Sequence, residues 1–214
     1  MLLAIFNTIA PVIVCAVVGF IWARRGGRYE TAFVTRLVTM VGFPCLVFET
    51  LIKVDLDGQV LFLMGASALA STTLFAVIAA SILRAGNLDI RTYLPSLTFA
   101  NTGNMGLSLC LLAFGPAGLA LGIGYFTVNA ILVFVFGPAI ASGNINLRAV
   151  FKLPLVWATL AAIVVMSTGA ELPAWTMRSL EMLGSFAIPL MLITLGVSLA
   201  DLKIEGLGRS FALS

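Results

Sequence analysis

The sequence predicts an all-α integral membrane protein of about seven transmembrane helices, and three observations carry that expectation. The first is composition: of 214 residues, 61% are hydrophobic and 10% charged, with a mean hydropathy of +1.12. A soluble domain carries about 25% charged residues. The second is the length of the apolar runs. They are continuous over about 20 residues, as a helix needs to cross hydrocarbon, and not about 10 residues of alternation as in a barrel strand. The third is that basic residues fall on alternate loops.

Span 1 is Leu2–Trp22, with Pro11 inside it, closed by the basic turn of Arg24, Arg25 and Arg28. No basic residue precedes it and Arg24-Arg25 follow it directly, the reverse of a secretory signal, so it reads as a retained span. Span 2 is Thr31–Ile52, with Pro44 deep inside and Glu49 near its end. Lys53, Asp55 and Asp57 form the next loop. Span 3, Gln59–Leu83, carries Gly65, Ala66, Ser67, Ala68, Ala70 and Ser71, small residues that admit a neighbouring helix. Arg84, Asn87, Asp89 and Arg91 follow. Span 4 is Thr92–Phe114, with Pro95 near its start, and a tight turn at Gly115-Pro116-Ala117-Gly118 leads to span 5, Leu119–Ile140, with Asn129 in the middle. After Asn144, Asn146, Arg148 and Lys152, span 6 (Leu153–Thr168) starts at Pro154. Gly169 to Pro173 turn into span 7, Trp175–Leu199, with Pro189 inside. Asp201, Lys203, Glu205 and Arg209 end the chain.

With seven spans, one side holds Arg24, Arg25, Arg28, Arg36, Arg84, Arg91, Arg148, Lys152, Lys203 and Arg209, and the other only Lys53 and Arg178. The positive-inside rule then sets the N-terminus outside the cytoplasmic membrane and the tail inside. An internal repeat fits this layout. Pro11 and Pro44 are 33 residues apart and Pro154 and Pro189 are 35 apart, each pair linking the front of one span to the interior of the next. Three spans separate the two pairs, so the second enters from the opposite side. That is an inverted-topology repeat, as secondary transporters have. The first repeat covers spans 1 to 5 and the second stops after two.

The most informative stretch is Phe99-Ala100-Asn101-Thr102-Gly103-Asn104-Met105-Gly106-Leu107-Ser108, within a run free of charge from Thr92 to Leu147. Unsatisfied polar groups in hydrocarbon cost several kcal/mol each, roughly. Gly103 and Gly106 weaken the helix. A helix broken at membrane depth is tolerated where it lines a cavity, and transporters bind substrate there. A half-helix N-terminus favours an anion, and Asn101 and Asn104 can donate to a carboxylate without charge of their own. The expected function is therefore a carrier of a small organic anion by alternating access. The binding residues would be Asn101, Thr102, Gly103 and Asn104, with Gly106 setting the break and Ser108 beside it. The same small residues and amides also suit helix–helix packing. Asn129 reads equally as lining the site or bridging helices. Pro11, Pro44, Pro95 and Pro189 read as kinks. Glu49 reads either as a solvated helix end or as a coupling carboxylate, with Glu181 and Asp201 as lesser candidates. The alternative function is a non-transporting membrane scaffold or subunit.

Other classes lack their residues. Cys15, Cys45 and Cys110 lie in apolar runs without metal-ligand or disulfide spacing. No histidine is present, which removes the usual proton shuttle and commonest metal ligand. No serine–histidine or paired-carboxylate constellation suggests an enzyme. The basic loops are short and lack interleaved aromatics, so nucleic acid is not an expected partner. No cofactor is expected, and coupling to a proton, to sodium or to neither stays open.

The chain resembles the auxin efflux carrier family, which includes plant auxin exporters and bacterial permeases for small organic anions. The likeness rests on Phe43-Pro44-Cys45-Leu46-Val47-Phe48, on Phe99 through Leu107, and on Ala187-Ile188-Pro189-Leu190 continuing to Leu195-Gly196-Val197-Ser198-Leu199. The family usually has proline where this chain has Ser108. The resemblance implies about ten spans and a second broken helix in the ninth, so that this chain looks like a carrier lacking spans 8 to 10. It further implies a dimerising scaffold, residues 1–58 and 148–214 with spans 1, 2, 6 and 7, and half of a moving transport domain, residues 59–147 with spans 3 to 5. The expected partners are a small organic anion, the lipid bilayer and a second copy of the chain.

Overall fold

The computed structural model describes residues 2–54, 58–142 and 151–201. Asp55, Asp57, Asn144, Asn146, Arg148, Lys203, Glu205 and Arg209 lie outside the described residues. Seven helices are described, and no strand is found among the described residues: α1 Leu2–Arg24, α2 Thr31–Val54, α3 Gly58–Ala85, α4 Ile90–Thr98, α5 Leu107–Ser142, α6 Pro154–Thr168 and α7 Ala174–Asp201. Thr31–Val54, Gly58–Ala85, Leu107–Val133 and Ala174–Asp201 are long and apolar enough to cross a membrane, while Ile9–Arg24 and Pro154–Thr168 are shorter apolar helices.

The local chemistry explains where these helices begin and stop. α1 ends at Arg24 and turns through Gly26, whose φ of 76° suits a residue without Cβ. α4 is capped by Asp89, whose carboxylate accepts the amides of Arg91 and Thr92, each at 3.2 Å, and the Thr92 hydroxyl. α6 starts at Pro154, which needs no amide donor in a first turn, and stops at the left-handed Gly169.

Three of the four interior prolines behave differently from Pro11, which α1 absorbs within one continuous helix. A proline removes an amide donor and presses on the carbonyl one turn back. In α2 the turn before Pro44 widens into a π-helix over Val38–Gly42. In α7 the helix is interrupted at Phe186, one turn before Pro189, and resumes at Ala187. Pro95 lies in the short α4, which ends at Thr98.

The expected four-residue turn at Gly115-Pro116-Ala117-Gly118 is tighter than the sequence suggested. Only Gly115 leaves helical geometry, at φ 68° and ψ −161°, and Pro116 begins the next limb. The two limbs of α5, residues 107–114 and 116–142, fold back on one another. A Cβ on Gly122 would lie 3.0 Å from Cys110 Sγ and 3.5 Å from Leu107 Cδ2. A straight helix would hold Leu107 and Gly122 about 22 Å apart.

Packing divides the helices into two groups that meet over a shared core. α1 lies along the second half of α7, and α2 packs on α6 and on the first half of α7. α3 packs on α4 and α5. At the α1–α7 crossing the backbones nearly touch: a Cβ on Gly19 would fall 2.0 Å from Ile193 O, and one on Gly196 would fall 1.8 Å from Ala16 O. Tyr29, in the turn after α1, reaches Thr194 Oγ1 at 2.7 Å and ties that turn to α7. Val47, Leu51, Ile123, Phe126, Leu155 and Met191 join α2, α5, α6 and α7 in one buried cluster. The outer faces are apolar, with Val14, Phe62, Leu74, Val77 and Val164 exposed. Exposed hydroxyls there bond back to their own helix, as Ser67 does to Met64 O at 2.7 Å, Thr73 to Leu69 O at 2.7 Å and Ser81 to Val77 O at 2.8 Å. That is how a hydroxyl is satisfied where no water is available.

Candidate functional site

The stretch singled out in the sequence is where the helix breaks. α4 ends at Thr98, Phe99 is extended, and its amide donates back to Pro95 O at 3.0 Å. The chain stays non-helical to Asn101, then a π-turn spans Thr102–Gly106 and leads into α5. Asn101 O accepts from both Met105 N and Gly106 N at 3.3 Å. Two glycines within five residues, after a proline one turn before the end of α4, supply the weakness at which this helix opens. The carbonyl end of α4 and the amide end of the half-helix from Thr102 thus flank the break, with partial charges of opposite sign.

A cavity of about 200 Å³ lies against the break. Asn101, Thr102 and Gly103 form one wall, Phe126, Asn129 and Ala130 of α5 another, and Thr39 and Phe43 of α2 a third. Pro154 and Leu155 of α6 close it. Among the described residues no charged side chain lines it, and the polar side chains there are the two amides and the hydroxyls of Thr102 and Thr39. Pockets for drug-sized ligands are about 300–1,000 Å³, so this volume suits a small solute. Phe43 and Phe126 meet at 5.0 Å between ring centroids. Gly103 is needed beside them, because a Cβ there would lie 3.0 Å from Phe126 and 3.4 Å from Phe43.

Asn129 borders the cavity and also bridges two helices. It is 2% exposed, and its Nδ2 donates to Thr72 Oγ1 of α3 at 3.4 Å. One turn earlier Tyr125 and Ser71 join the same two helices at 2.8 Å. Gly106 borders a neighbouring groove with Cys110 and Gly122, and Ser108 is fully buried; neither lines the cavity. Asn104 is placed in the π-turn by its backbone, and its side chain lies outside the description. Glu49 is not on the cavity. It pairs with Lys53 at 2.7 Å, and Lys53 also reaches Glu181 at 3.1 Å, joining the end of α2 to α7. Asp201, the last residue of α7, is exposed. Among the described residues no cluster of histidine, cysteine or carboxylate side chains could hold a metal ion.

Thr39, Phe43, Phe126 and Pro154 line the cavity but were not singled out as site residues. One signal pointed to Thr39: it lies five residues before Pro44, inside the turn that the proline opens. The aromatic pair left none, since it depends on how α2 and α5 meet.

No family profile and no solved structure matches the chain. A protein of Methanothermobacter thermautotrophicus named an uncharacterized transporter is 30% identical over 206 residues, covering 90% of this chain and 67% of its own length. With the apolar helices and lipid-like exterior, this relation makes the chain a multi-pass membrane protein. It belongs to the transporter family of that archaeal protein.

Proposed function

We propose that the protein is a secondary carrier of the auxin efflux type, moving a small organic anion such as a carboxylate across the cytoplasmic membrane by alternating access. The observation that carries this reading is the meeting of Asn101, Thr102, Gly103 and Asn129 around one uncharged cavity at the amide end of a half-helix. Backbone amides and a helix N-terminus attract a carboxylate. Neutral donors hold it without the strong ion pair that would oppose release. The helix groups support a scaffold of α1, α2, α6 and α7 beside a mobile unit of α3, α4 and α5, with the cavity at their boundary. In this reading the scaffold also forms a homodimer. The disturbed turns before Pro44 and Pro189 support an inverted repeat of a seven-span layout. The basic loops support an external N-terminus. Glu49, neutralised by Lys53, serves as a clamp between α2 and α7 and leaves ion coupling to other groups.

The test is uptake of labelled small carboxylates into proteoliposomes. Asn101→Ala should abolish uptake while the purified yield and melting temperature stay near the native values. Undiminished uptake in that variant contradicts the assignment.

A further inference from the structure

The turn that joins α1 to α2 gathers Arg24, Arg25 and Arg28, with Arg36 in the second turn of α2, and all four are exposed. Its backbone is fixed. Gly26 N donates to Ala23 O and Gly27 N to Trp22 O, each at 3.0 Å, the paired bonds that close a helix on a left-handed glycine. The Trp22 indole lies across Gly27, leaving no room for a Cβ there, and its Nε1 donates to Arg28 O at 3.2 Å. The Arg24 guanidinium sits 5.4 Å over the Phe20 ring. Phe20, Trp22 and, in the first turn of α2, Phe33 are exposed beside it. Among the described residues the ion pairs are those of Lys53 with Glu49 and Glu181, so no carboxylate pairs with these arginines there. Glu30 is the one acidic residue from Arg24 to Arg36, and the carbonyl end of α1 adds about half a negative charge. A positive surplus remains. Guanidinium forks match phosphate, tryptophan settles at headgroup depth, and arginines clustered directly after a membrane-crossing helix attract anionic lipid. The exposed rings offer contact to a lipid's chains and nothing to a free inorganic anion.

We propose that this turn binds the headgroup of an anionic phospholipid of the phosphatidylglycerol kind. The guanidiniums of Arg24, Arg25 and Arg28 take the phosphate, and Phe20, Trp22 and Phe33 lie along the upper part of the acyl chains. Tyr29, in the same turn, meets Thr194 Oγ1 at 2.7 Å, so a lipid held here braces the junction of α1, α2 and α7. The site lies on the membrane surface, apart from the cavity, and does not depend on the carrier reading.

The test uses the full chain in detergent with Trp157→Phe and Trp175→Phe, so that Trp22 is the only tryptophan left to emit. Phospholipids with brominated acyl chains quench an indole they touch. Brominated phosphatidylglycerol should quench Trp22 at about tenfold lower concentration than brominated phosphatidylcholine. That comparison needs no charge variant, so it judges the site even where a variant misfolds. Arg24→Gln, Arg25→Gln and Arg28→Gln should each raise the phosphatidylglycerol concentration needed by about fivefold, and the three together by about a hundredfold. Arg28→Lys keeps the charge and should keep the preference between the two lipids. Arg84→Gln with Arg91→Gln, which flank the turn from α3 to α4, should leave the quenching unchanged. Equal quenching by the two lipids, or unchanged affinity in the triple variant, overturns the proposal. So does an equal loss in the Arg84 and Arg91 control, which would mean diffuse charge and no site. Displacement of the lipid by inorganic phosphate at matching concentration would overturn it in favour of a free anion.

Discussion

At the residue scale the cavity's chemistry rests on a few uncharged groups whose positions are held by neighbours. Asn129 is buried and its amide is tied to Thr72, so its other atoms have little freedom to turn away from the cavity. Replacing it by aspartate keeps the shape and adds a negative charge beside the proposed anion. Two like charges about 4 Å apart at an effective dielectric near 20 repel by about 4 kcal/mol. Asn129→Asp should therefore weaken carboxylate uptake on the order of a thousandfold at pH 8, with partial recovery as the pH falls and the new carboxyl takes up a proton. Uptake measured against carboxylate concentration at several pH values checks this. Asn101, Thr102, Gly103 and Asn129 could be picked from the sequence because amides and glycines in the middle of an uncharged run are anomalous in hydrocarbon. Phe43 and Phe126 could not, because a phenylalanine in such a run is ordinary whether it faces lipid or a site.

At the scale of elements, backbone anomalies were legible and pairings were not. The prolines and glycines announced the break in span 4 and disturbances in α2 and α7, since each removes a donor or loosens the helix locally. The approach of Gly19 to Ile193 and of Gly196 to Ala16 needed the three-dimensional arrangement, as glycines in apolar runs are common and only the crossing shows which ones matter. The short α4 depends on its ends more than a long helix does, because nine residues bring few interior hydrogen bonds. Its cap Asp89 has a pKa held below the usual carboxylate value, first by the Thr92 hydroxyl and then by the amides of Arg91 and Thr92. A carboxyl with a depressed folded pKa stabilises fully above its unfolded value, near 3.9, and loses that contribution as the pH falls through the folded value. Asp89→Asn should melt below the native protein at neutral pH, and the gap should close below about pH 4. Melting curves of both proteins from pH 3 to pH 8 give the comparison, and a gap that widened on acidification would reverse the sign.

At the scale of the whole molecule, composition and apolar run length established a helical membrane protein, and the 30% identical archaeal transporter places it in a family. What composition could not reveal is that the break of one helix group opens where α2, α5 and α6 converge, so that residues far apart in sequence share one cavity. That convergence gives the carrier reading its physical content: relative motion of the two helix groups would reshape the cavity wall by wall. The measurement that tests this most directly is thermal unfolding of the solubilised protein with and without small carboxylates, run beside their isosteric amides. A ligand bound only by the folded state raises the melting temperature in proportion to the logarithm of its excess over Kd. The account predicts a rise with at least one carboxylate, none with its amide, and loss of the rise in Asn101→Ala. No rise with any carboxylate across the series, or an equal rise in Asn101→Ala, would contradict it.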